Sequence, residues 1–293
     1  MQNISRRQLL TSGTVLGGSL FLGSTLLAQE GPTEPVFRIS KKDVPATNVA
    51  PVAPHALDPA LKLAQASLNN IRSRIHDYTA VVAKRERVNG VVGEIQYMGA
   101  KIRNRKVQNG QIAVPFSVYL TFLGPDSVKG REVIYVENQN SGNLVAHEGG
   151  MKGRFLPTVN LDPNGMLAMK GQRYPITDMG IENLVVKLIE KGERDKKNGP
   201  CQVEFRRGAS VAKRDCTVLT VKHSVKKACY DFCEAQIFID NELNIPIRYC
   251  AFDWPKTPGG EKQLLEEYTY MNIKPNVGLT DMDFNQENPK YRF

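Results

Sequence analysis

The sequence predicts a mainly β fold of the α+β kind: a curled antiparallel sheet, or an unclosed β-barrel, covered by two helices. Three observations carry this. Short segments that alternate apolar and polar residues follow one another through most of the chain, the period of strands with one covered face. Two longer stretches instead space their apolar residues by three and four, the period of a helix lying on a surface. The order is helix, strands, helix, strands, with neither βαβ alternation nor an internal repeat. A sheet of about ten strands curls, which lets two helices cover its concave apolar face.

The first helix opens at Asp58-Pro59, an N-cap acid followed by proline at the first helical position. Leu61, Ala64, Leu68, Ile71 and Ile75 make its apolar stripe. "TAVVAKRERVNGVVGEIQYMGAKIRNRK" reads as two long strands joined at Asn89-Gly90, a hairpin signal. "VPFSVYLTFLG" puts Phe116, Val118, Leu120 and Phe122 on one face, with Ser117, Tyr119 and Thr121 on the other. Two strands flank "NSGN", and 149–174, rich in Gly, Pro, Asn and Met, reads as an irregular connection. Thr177-Asp178 caps the second helix, with Ile181, Leu184, Val185, Leu188 and Ile189 inside and Gly192 as its stop. After the polar loop "GERDKKNGP", strands are expected at 202–206, 216–223, 232–239, 246–252 and 264–273.

The N-terminus sets the domain organisation. Arg6 and Arg7 form a basic start, and an uncharged, glycine-diluted apolar run ends at Ala28. Residues 1–28 read as an export signal, too short and too weakly apolar for a membrane anchor. "SRRQLL" fits the twin-arginine pattern, with a general secretory signal as the alternative. Residues 29–56 hold five prolines and no periodicity, a disordered or extended tether. A single domain spans 57–293. Losing the signal takes the net charge from +9 to about +7. The densest basic runs, "KRER" and "KIRNRK", read as solvated strand faces. No nucleic-acid motif appears, and the mature chain has no apolar run long enough to span a membrane as a helix.

The phrases "ELNIPIRYCAFDWP", "EEYTYMNIKPNVGLTDMDF" and "NPKYRF" resemble the exported domain-of-unknown-function family numbered 1571. The layout, with the pattern D-x-x-x-N-I-P-I over Asp240 to Ile247, is similar to the periplasmic lipoprotein carrier LolA and its receptor LolB. That resemblance implies an unclosed barrel with an apolar cavity beneath its helices, and a lipid or lipoprotein acyl chain as ligand. No cysteine lies near the cleavage region, so a LolB-like anchored acceptor is disfavoured. Localisation would be the periplasm or cell envelope. The cavity candidates are Phe116, Val118, Leu120, Phe122, Ile237, Ile239, Ile247 and Tyr249. The competing reading is a solid core serving as a protein–protein or sensor module in the envelope.

The residues offer little catalytic chemistry. His147-Glu148 begins like a zinc-protease helix, but Met151 stands where the second histidine belongs. Neither a G-x-S-x-G nor a phosphate-loop motif occurs, and no cofactor is expected. Asp281 and Asp283 suit capping of a turn or short helix better than metal binding. An enzyme would need ionisable groups converging in a cleft.

The five cysteines, Cys201, Cys216, Cys229, Cys233 and Cys250, lack zinc spacing. A three-residue hairpin loop, with Asn244 left-handed, sets Ile239 opposite Ile247 and Ile237 opposite Tyr249. Cys250 then faces away, opposite Gln236, and is the expected unpaired thiol. Cys216 with Cys233, or Cys201 with Cys229, remain as disulfide candidates. Trp254, held extended before Pro255, is expected to cap the sheet edge.

Overall fold

The computed structural model describes residues 37–38 and 55–293. The export signal with Arg6 and Arg7 lies outside the described residues, as does nearly all of the 29–56 segment. Fifteen strands and two long helices follow in chain order. β1 (Phe37–Arg38) comes from within the expected tether and pairs with a later strand. Next come helix α1 (Asp58–Arg74), β2 (Asp77–Val88), β3 (Val91–Val92) and β4 (Gln96–Arg103). β5 (Lys106–Gln108) and β6 (Gln111–Val114) form a separate two-stranded arm, turned at Asn109-Gly110. They are followed by β7 (Ser117–Gly124), β8 (Glu132–Val136), β9 (Leu144–His147), the one-turn α2 (Gly150–Gly153), β10 (Val159–Leu161) and helix α3 (Ile181–Asn198). The chain then runs through β11 (Gln202–Val211), β12 (Arg214–Lys222), β13 (Glu234–Asp240), β14 (Ile245–Asp253) and β15 (Gln263–Pro275).

The main sheet is antiparallel and unclosed. Its order is β1-β11-β12-β13-β14-β15-β2-β4-β7-β8-β9-β10, with β3 paired to β2. Two meanders are therefore zipped together where the last long strand meets the first, β15 against β2. The helices join both halves. The Tyr78 hydroxyl on β2 accepts the Ile181 N–H at 2.8 Å. Ser67 and Asn70 of α1 donate to the carbonyls of Asn244 and Leu243, in the turn between β13 and β14, each at 2.9 Å. A sheet whose two halves reach the same helix pair must curl around it, as the alternation predicts.

The helix pair departs from the sequence reading in three places; at the start of α3 the N-cap is Gly180, with φ 104°, and Thr177-Asp178 lies in a separate 3-10 turn before it. Leu57, not Asp58, is the N-cap of α1; Asp58 is the first helical residue, accepts the His55 N–H at 3.2 Å and pairs with Lys196 at the far end of α3. At the other end Arg72 pairs with Glu182 at 2.8 Å, so α1 and α3 run antiparallel. Third, α3 continues through Gly192 and ends at Gly199, whose φ of 135° is open to glycine. Gly192 serves contact rather than termination: a Cβ there would stand 2.8 Å from Leu61 Cδ2. Gly192→Val is therefore expected to destabilise the fold by about 1–3 kcal/mol, the usual cost of overpacking. Urea unfolding would measure it, and an unchanged midpoint would show that the helices separate freely.

The predicted hairpin is right at its far end and wrong at its turn. Ile237 faces Tyr249 and Gln236 faces Cys250, but Ile239 faces Pro246. The loop has four residues, 241–244, and a bulge before Arg248 restores the register. Asn244 does take the left-handed conformation, with φ 54°. Asp240 organises the turn: its carboxylate accepts the Glu242 and Leu243 N–H groups at 2.9 and 2.8 Å, and Arg214 grips it. Burial alone would raise the Asp240 pKa; these bonds outweigh it and hold the group below its ordinary value.

Outside the sheet the C-terminal tail closes a third apolar cluster. A capping box at Thr280 and Asp283 opens a short 3-10 turn, Asp281–Phe284. Phe284, Tyr119, Ile134 and Val136 pack with Tyr291 and Phe293, and Tyr291 stacks on Tyr119 at 3.9 Å. Asp283 and Asp281 pair with Lys101 and Arg103 at 2.6 and 2.7 Å. "KIRNRK" is thus not a solvated face: Ile102 is fully buried inward, and its basic neighbours hold the tail.

Candidate ligand cavity

β2, β4, β7, β8 and β9 turn a continuous apolar face toward α3. Val82, Met98, Leu120, Phe122, Val133 and Leu144 stand on it because each strand places alternate residues inward. Helix α3 supplies Leu184 and Leu188 as a side wall. The connection from His147 to Gly180 forms the roof, with Leu156, Leu161, Leu167, Ala168, Ile176 and Met179 facing in. The space between these walls is about 570 Å³, within the ~300–1,000 Å³ typical of small-molecule sites. It reaches the surface, since Leu156 and Leu167 line it and are also exposed to solvent. A second space of about 70 Å³ lies between α1, α3 and β12–β14. The core is thus packed in part and bordered by these two spaces.

One end of the large cavity is charged. Lys84 and Glu86 on β2, Glu266 and Tyr268 on β15, Tyr249 on β14, and Gln172 and Tyr174 of the roof converge there. Glu86 and Glu266 are direct cross-strand neighbours, an unfavourable placement for like charges. Arg173 resolves it: its backbone N–H reaches Glu86 at 3.1 Å and its Nε reaches Glu266 at 2.9 Å. Tyr268 donates to Glu86, and Tyr174 to Glu266 at 3.2 Å. Lys84 lies 3.5 Å from Glu86 and donates to Gln172. Burial draws the Lys84 pKa below its ordinary value despite that carboxylate. Burial and the neighbouring Glu266 raise the Tyr249 hydroxyl far above its usual range. Lys191 of α3 is held above its ordinary value: burial opposes this, but Tyr174, Glu266 and Asp231 outweigh it. The charges are thus committed to one another in a network that locks the roof onto the sheet.

The eight predicted cavity residues divide three ways. Leu120, Phe122 and Tyr249 line the large cavity. Ile237 and Ile239 line the small one beneath the helices. Phe116, Val118 and Ile247 line neither space and are packed into the main core cluster, which Leu120 and Phe122 share. Reading "KRER" as a solvated face hides the charged end, since Lys84 and Glu86 line the cavity. Parity was the available signal: residues 80, 82, 84 and 86 share a face, so Lys84 and Glu86 follow Val82 inward.

All five cysteines carry free thiols. Cys216 and Cys233 sit at opposite ends of the β12–β13 ladder, Cys216 facing Asp240 and Cys233 beside His223, too far apart to bridge. The other candidate pair, Cys201 with Cys229, is likewise unbonded. Cys250 faces Gln236, as the register requires, and burial pushes its thiol up to about 12. Trp254 follows β14 with Lys226 over its ring at 5.4 Å. Among the described residues no group of three or more His, Cys, Asp or Glu is placed to hold a metal ion, and no helix is long and apolar enough to cross a membrane.

No curated protein matches the chain. Solved structures similar in layout are distant in sequence. A putative outer membrane lipoprotein-sorting protein domain from Vibrio parahaemolyticus is 12% identical, with TM-score 0.37, over 77% of this chain and 96% of that one. The Pseudomonas aeruginosa MucA/MucB complex gives 13% identity and TM-score 0.42, over 76% of this chain and 60% of that one. A LolA superfamily protein from Nitrosomonas europaea gives 11% identity and TM-score 0.30, over 76% of this chain and 97% of that one. From the end of α1 to the C-terminus, residues 75–293 match the family described as a protein of unknown function, DUF1571, and the chain belongs to that family.

Proposed function

We propose that this is an exported, non-enzymatic binding protein that holds an apolar chain, the acyl chain of a lipid or lipoprotein, in the cavity beneath α3. One observation carries the reading: a preformed space of about 570 Å³, walled by Val82, Met98, Leu120, Phe122 and Leu184, that opens to the surface. Each buried methylene of a ligand would contribute roughly 0.8 kcal/mol without specific chemistry. The charged end supports binding rather than turnover. Its carboxylates and cations are bonded to one another, which suits orienting the polar head of an amphiphile rather than supplying a free acid or base. The basic, apolar N-terminal run ending at Ala28 supports export to the periplasm or cell envelope, with 57–293 as the mature single domain.

The test is uptake of a fluorescent fatty acid by the purified, delipidated protein. Saturable binding at one site per chain is expected, displaced by unlabelled fatty acid. Failure to bind, together with no lipid extracted from the protein as purified, would overturn the reading.

A further inference from the structure

The roof of the cavity presents large apolar side chains to water. Met151, Phe155, Leu156, Met166 and Leu167 are 71%, 79%, 47%, 87% and 69% exposed. Scattered exposed apolar residues are ordinary, but five on one connection mark an interaction surface. Two of them, Leu156 and Leu167, also line the cavity, so the patch is the rim of its mouth. Exposed cations outnumber exposed acids around it: Arg154 and Lys170 against Asp162 on the same connection, and Lys129 against Asp126 on the β7–β8 turn that packs against Gly149. The connection is anchored at both ends, by Arg131–Glu148 at 2.8 Å and His147–Thr158 at 3.0 Å, and by Arg173 and Tyr174 on Glu266. The apolar tips are held out on a fixed base.

We propose that this rim docks on a lipid bilayer bearing anionic headgroups, so that a chain passes between bilayer and cavity without crossing water. The proposal rests on the acyl-chain reading above. Charge selects the occupant: exposed aromatic and aliphatic tips flanked by Lys129, Arg154 and Lys170 match an anionic membrane interface, which draws Lys and Arg toward it.

Co-sedimentation with phosphatidylcholine vesicles, with and without phosphatidylglycerol, tests it. The wild-type chain is expected to bind the vesicles, more tightly when phosphatidylglycerol is present. The combined variant Met151→Ser, Phe155→Ser, Met166→Ser is expected to bind vesicles about tenfold more weakly or worse. Lys129→Glu with Arg154→Glu should abolish the preference for phosphatidylglycerol. None of these side chains lines the cavity, so uptake of fluorescent fatty acid from solution should stay unchanged in both variants. Vesicle binding that is absent in the wild type, or undiminished by the serine variant, overturns the docking surface. If uptake persists in that case, the cavity reading survives. A concentration-dependent rise in mass that the serine variant abolishes would assign the rim to a second copy of the chain and also overturn the proposal.

Discussion

Ala146→Phe should lower the affinity for a fluorescent fatty acid about 50-fold while leaving the unfolding midpoint unchanged or slightly raised. Ala146 lies on β9 between Val133 of β8 and Val159 of β10, and its methyl faces the cavity. A phenyl ring there extends into space that is already open, so it adds packing without displacing a core residue. It occupies the room of about three methylenes, and at roughly 0.8 kcal/mol each the ligand loses about 2.4 kcal/mol. One factor of ten corresponds to ~1.4 kcal/mol, which gives the expected change. Affinity equal to wild type would place the ligand elsewhere. A collapse of stability would show that β9 cannot accept the ring.

The experiment separates binding from folding because only part of the apolar core borders the cavity. Phe116, Val118, Leu120 and Phe122 all belong to the buried core, but only Leu120 and Phe122, on strand β7, also border the open space. Sequence alternation cannot make that distinction. It fixes which face of a strand is covered, and Phe116 to Phe122 share one parity. Whether the covering leaves a void depends on where α3 and the roof lie, which is set by contacts far apart in the chain. The same limit explains Gly192. Read locally, a glycine late in a helix is a stop; only the crossing of α1, more than a hundred residues earlier, makes it a contact point. The β13–β14 hairpin shows the opposite case. Parity of Ile237 and Tyr249 gave their pairing correctly, because burial forbids a slip, while the bulge near the turn has no apolar pattern to announce it. "KRER" is instructive because the pattern was present and charge type overrode it. A lysine and a glutamate at inward parity beside Val82 mark a polar interior, and polar interiors are where function is sought.

Glu86→Ala should cost about 3–5 kcal/mol of stability, the effect of removing one partner from a buried charge network. Glu86 is buried and serves three groups at once: the Tyr268 hydroxyl, the Arg173 N–H and the Lys84 ammonium. Alanine leaves all three without that acceptor, in a region where burial already depresses the Lys84 pKa. Glu86→Gln keeps an oxygen for Tyr268 and Arg173 and should lose less. Lys84→Met combined with Glu86→Gln should recover part of the loss, because the unpaired ammonium is then gone and a buried ion pair exchanged for neutral groups is often close to neutral in stability. Urea unfolding of the three variants gives the comparison. A Glu86→Ala cost below about 1 kcal/mol, the range of solvent-exposed ion pairs, would mean that water fills this end of the cavity and that the network does not hold the roof. The large cost, with partial recovery in the double variant, would identify Lys84–Glu86 as the fixed polar end of the cavity.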